Sequence, residues 1–208
     1  MQCRSAFKCH RLTVVLVCFM CGFRLASGYG HTGIVKLLLE SNANAAAPNK
    51  NGDTPMLAAS SRGHMDVVVT LLAAKAEVTT ANTSRDTALL SAVSAGHVAL
   101  VPILLQAGAD PNATNRKGVF PLGCAASQGS EEAAQCIVDA SADLTACDRN
   151  GARPLSVAAF CGNTAVTKLV IAATLASGGD IDHRDSSGAS ALWLAAAAGT
   201  TLWGGFGR

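Results

Sequence analysis

The sequence predicts an all-α fold, a solenoid of stacked helix-turn-helix units joined by β-hairpin-like loops. Three observations predict it. The first is a self-similarity that recurs every 33 residues, in segments opening at Asn49, Asn82, Asn115 and Asp148. The second is composition: half of the 208 residues are apolar but only 4% are aromatic, so alanine and leucine carry the core. That balance suits closely packed helices better than a β-sandwich. The third is helical spacing of apolar residues inside the units, as at Val67, Val68, Leu71 and Leu72.

The chain opens with a basic and then apolar segment, residues 1–20. Arg4, Lys8 and Arg11 precede a continuous apolar run over residues 12–23, and the small residues Ala26, Ser27 and Gly28 follow. This order resembles a secretory signal peptide, and the run is too short for a comfortable membrane span. The competing reading gives residues 21–31 to the array as an eroded first helix. On that reading residues 21–48 are a partial unit.

Four units follow, at 49–81, 82–114, 115–147 and 148–184, and a partial one at 185–208. Each opens on a polar turn such as Asn49-Lys50-Asn51-Gly52-Asp53, where Gly supplies the backbone freedom of a tight turn. Thr54-Pro55 then start a short helix, Thr as the N-cap and Pro in the first turn, where its missing N–H is not needed. Small residues line that helix, so neighbours can approach closely. Gly63 ends it, and the second helix follows. Neither helix can bury its apolar face alone, whereas stacked units can. Pro102 falls inside a second helix and is tolerable only if that helix starts near Val98 or Ala99. The fourth unit is four residues longer, which is expected to lengthen its second helix or exit loop near residues 173–177.

The pattern resembles the ankyrin repeat, whose signature is a T-P-L-H-type helix start at a 33-residue period. The residues that carry the resemblance are Thr54-Pro55-Met56, Thr87-Ala88-Leu89, Phe120-Pro121-Leu122, Arg153-Pro154-Leu155 and Ser190-Ala191-Leu192. Gly-His recurs at positions 30–31, 63–64 and 96–97, and the loop motif is fullest at Gly108-Ala109-Asp110-Pro111-Asn112-Ala113. The chain also departs from the family. The signature His is replaced by Leu57, Leu90, Gly123, Ser156 and Trp193, and Arg85 stands where a turn glycine is expected. In the family that His ties helix starts together, so the resemblance implies a less rigid array here. Both ends read as unfinished, which suggests a fragment, or an imperfect gene prediction, of a longer ankyrin protein.

Other chemistry is weighed against this register. Gly28-Tyr29-Gly30-His31-Thr32-Gly33 is a literal dinucleotide fingerprint with Asp53 beyond it, but no clean strand precedes it. His31, His64 and His97 would form a ladder about 10 Å apart, too far to share a metal ion. Cys18-Phe19-Met20-Cys21 has redox or zinc spacing without a second ligand pair. No nucleophile–base constellation is readable. No cofactor, metal or catalytic residue is therefore expected. Residues 1–31 carry four basic residues and no acid, and the rest is nearly neutral, with no basic stripe for nucleic acid. The cysteines show no disulfide spacing, and the body reads as reduced and cytoplasmic. The membrane is an expected partner only if residues 1–28 act as a signal or anchor.

The resemblance implies that a protein partner contacts the turn tips and the exposed side of the first helices. By register the expected contact residues are Lys50, Asn51, Asp53, Arg62, Asp86, Arg116, Lys117, Gln128, Arg149 and Phe160. Arg62, Arg116, Lys117 and Phe160 are the strongest expectations among them. The function expected is a non-catalytic interaction scaffold or adaptor. The alternatives are the ankyrin portion of a larger enzyme, kinase or channel, and a signal-targeted ankyrin protein.

Overall fold

The computed structural model describes residues 22–199; the apolar run up to Cys21, the cysteine pair within it and the tail 201–208 lie outside the described residues. Residues 22–28 are helical (α1). They are followed by α2 (Thr32–Glu40), α3 (Pro55–Ser60), α4 (Met65–Ala73) and α5 (Ala88–Ser94). A 3-10 turn (Val98–Leu100) runs into α6 (Val101–Gln106), and α7 (Pro121–Gln128), α8 (Glu131–Asp139), α9 (Pro154–Phe160), α10 (Thr164–Ala176) and α11 (Ala191–Ala197) complete the order. Two helical layers result. The first helices α3, α5, α7, α9 and α11 contact one another in succession, and α2–α4, α6–α8 and α8–α10 do so in the second layer.

The first helices start as their caps dictate. The hydroxyls of Thr54 and Thr87 each accept from the amide three residues on at 3.2 Å, and Ser190 does the same toward Trp193 at 3.3 Å. Phe120 and Arg153 occupy that place in the next two units and provide no side-chain cap, leaving Pro121 and Pro154 to set the first turn. Gly63 adopts φ +75° after α3, and a Cβ there would stand 2.6 Å from the His97 ring. Glycine is thus required twice over, by conformation and by the neighbouring unit.

The core repeats with the sequence. Val35, Val68, Val101 and Ala134 are fully buried, and so are Leu71, Leu104, Ile137 and Val170. All belong to one continuous apolar cluster that runs through the stack, Phe23 and Ala26 of α1 included. The helix over residues 22–28 thus packs on that core.

Pro102 lies in the first turn of α6, and the 3-10 turn before it absorbs the mismatch, as the sequence requires. The longer fourth unit lengthens its second helix: α10 has 13 residues where α4 and α8 have nine. The connecting loops are hairpin-like in path. Among the described residues the one isolated bridge joins Arg184 and Ser190. Leu192 and Trp193 of α11 are exposed, whereas Leu155 and Leu122 at the register position of Leu192 are buried. No second helix follows α11 among the described residues.

Candidate interaction surface

Every turn is built around one side-chain oxygen. Asn49 Oδ1 accepts from the amides of Asn51 and Asp53, each at 2.8 Å. Asn82 and Asn115 repeat the arrangement, and Asp148 and Asp185 do so with a carboxylate. Closing the turn in this way thrusts the following residues outward: Lys50, Asn51, Arg116, Lys117 and Arg149 are all exposed.

The turns are also tied to one another. The amide of Thr83 donates to the Asn51 carbonyl at 2.9 Å, Arg116 to Ser84 at 2.8 Å, and Ser186 to Asn150 at 3.0 Å. Side chains form a second rail. Asn82 Nδ2 donates to the Asp53 carboxylate at 2.9 Å and Asn115 Nδ2 to Asp86 at 2.8 Å. Asp53 and Asp86 are accordingly half-buried. These two expected contact residues hold the turns in line.

Arg62 and Gln128, two further expected contact residues, also reach back across a unit boundary. Arg62 Nη1 donates to the Gly28 carbonyl at 2.8 Å, and its guanidinium stands 4.8 Å from the Tyr29 ring centroid. Gln128 Nε2 donates to the Ser94 carbonyl at 2.9 Å. Both side chains remain exposed over much of their surface. Phe160, at the end of α9, is 56% exposed, although most large apolar side chains of the first helices are buried.

The histidine ladder has the same tethering role. His64 Nε2 meets the Gly28 carbonyl at 2.9 Å, and His97 Nε2 meets that of Ser61 at 3.3 Å. Asn163 takes over in the fourth unit, donating to Ala126 at 2.7 Å and Ser127 at 3.1 Å. Ties of this kind link units that lack the signature His at the helix starts. They were legible as a 33-residue recurrence, but their acceptors, 36 or 37 positions away, were not.

The glycine fingerprint is occupied by this packing. Gly28 ends a helix, where a dinucleotide site needs the end of a strand, and its carbonyl is taken by Arg62 and His64. Among the described residues no group of three or more His, Cys, Asp or Glu could hold a metal ion. Burial pushes the Cys124 thiol above its ordinary value, while the Ser94 hydroxyl 3.3 Å away works against it. A thiol so placed is a poor nucleophile.

Comparison with known proteins decides the family. A family model described as ankyrin repeats, in three copies, matches residues 23–115 and again 100–174. The chain belongs to the ankyrin-repeat family. A search of curated proteins finds no significant match. Ankyrin repeats in general mediate protein–protein interaction and are typically non-catalytic. Among the described residues of this ankyrin chain, no helix is long and apolar enough to cross a membrane.

Proposed function

We propose that this ankyrin chain is an interaction scaffold or adaptor that holds a protein partner along its turn tips and inner-helix surface, with no catalysis of its own. One observation carries the reading. After the ties between units are subtracted, Lys50, Asn51, Arg116, Lys117, Arg149 and Phe160 remain exposed on an edge where backbone hydrogen bonds join the first turn to the second, the second to the third and the fourth to the fifth. A hydrogen-bonded edge that presents long cationic side chains and the exposed Phe160 ring is organised for contact, because little entropy is lost when it binds. A cytoplasmic location fits the same reading. Cys124, Cys136, Cys147 and Cys161 are all free thiols.

The test is an affinity pull-down with the full chain. Changing Arg116, Lys117 and Phe160 together to Ala is expected to remove the captured partner. Changing Lys36, Glu131 and Lys168 on the second helices is expected to leave it. Arg62 is excluded from the set because its loss would also cut a tie between units. A partner list that survives the first variant and disappears with the second would refute the assignment.

A further inference from the structure

The third unit differs from its neighbours at two linked positions. Phe120 stands where Thr54 and Thr87 cap their helices, and it is buried. Gly123 stands where the other units have Leu57, Leu90, Ser156 and Trp193. The Phe120 ring as placed leaves no room for a side chain at 123, since a Cβ there would come within 2.9 Å of it. With no side chain at 123, a recess of about 180 Å³ opens between α7 and α9, lined by Phe120, Cys124 and Val157 among others. It is smaller than the roughly 300–1,000 Å³ of small-molecule sites, and suits one inserted side chain.

The turns beside it carry cations. Gly118, also in the lining, belongs to the turn that presents Arg116 and Lys117 to solvent. Arg149 lies across that turn, its Cγ 2.8 Å from where a Gly118 Cβ would be. The one acid of the lining, Asp148, is half-buried and accepts from the amides of Asn150 and Ala152. Arg116, Lys117 and Arg149 are thus exposed on the two turns beside the recess, while the nearby carboxylates of Asp148 and Asp86 are half-buried and already accept hydrogen bonds.

Deepening the scaffold reading on which it rests, we infer that this recess receives one apolar side chain from an acidic polypeptide segment, whose carboxylates pair with Arg116, Lys117 and Arg149. Bidentate guanidinium–carboxylate pairing fixes the segment's course, and the buried anchor supplies most of the affinity. A single-stranded nucleic acid would instead need aromatic platforms for its bases. Among the residues that line the recess the one aromatic ring is Phe120, and it is buried.

Selection of 12-residue peptides from a random displayed library on the full chain tests this. The expected consensus is several Asp or Glu around one Leu, Met or Phe. The consensus peptide, followed by fluorescence anisotropy, is expected to bind at least tenfold more weakly to R116E/K117E. The recess-filling variants C124F and, independently, V157F should weaken it similarly while retaining the wild-type circular dichroism. K36E/K168E should bind normally. A consensus without acids, no consensus at all, or equal affinity for all these variants would overturn the inference. So would tighter binding of a 12-nucleotide single strand that is lost in R116E/K117E. Peptides of other chemistry whose binding is still lost in the Arg116, Lys117 and Phe160 triple variant would sink this inference alone and leave the scaffold reading standing.

Discussion

Asp86, expected as a contact residue, also carries a bond that holds the structure together. It lies in a solvent-facing turn, yet its carboxylate accepts from Asn115 of the next turn at 2.8 Å. A half-buried, charge-assisted bond of this kind contributes roughly 1.5–3 kcal/mol. Asp86→Ala is therefore expected to cost about 1–2 kcal/mol in urea denaturation, the discount reflecting partial exposure of the site. Arg85 beside it adopts φ +64°, where the other turns use Gly52, Gly118, Gly151 and Gly188. Relief of left-handed strain is partly offset by the extra freedom glycine gains on unfolding. Arg85→Gly is accordingly expected to stabilise the protein by about 0.5–1 kcal/mol in the same measurement. The Arg85 departure was legible in the sequence because one position broke a repeated pattern. The role of Asp86 was not, because its partner is 29 residues away. The recurrence of Asn at 49, 82 and 115 with Asp at 53 and 86 was the signal that could have revealed a polar rail.

At the scale of elements, the helix starts were legible almost residue by residue, since caps and prolines act locally. Thr54, Thr87 and Ser190 cap as their residue types require, and Pro102 falls in the first turn its chemistry allows. Phe120 is the informative exception. Restoring Thr there would gain a cap of about 1 kcal/mol, but would remove a buried ring worth about 3–5 kcal/mol. Phe120→Thr is thus expected to lower stability by roughly 2–4 kcal/mol, as read from the shift in the thermal or urea midpoint. A stabilised variant would mean that the ring contributes little and that the recess above it is incidental. The recess itself was not predicted: Gly123 was visible as a departure from the motif, but Phe120 counted among the residues that carry it. What was missing was the packing of one against the other.

At the scale of the whole molecule, each unit touches only its neighbours, so stability is a sum of unit and boundary contributions. The boundaries here are stitched by backbone bonds between turns, the Asn–Asp rail and the His or Asn tethers. That stitching leaves one edge stiff and chemically distinct from the second-helix layer. The partner is expected to bind this edge. Amide hydrogen exchange of the full chain, with and without the partner recovered by pull-down, tests it most directly. Added protection is expected in the turns 49–53, 82–86, 115–119 and 148–152 and at the ends of α7 and α9, with α4, α8 and α10 unchanged. Protection concentrated in α4, α8 and α10, with the turns unaffected, would contradict it.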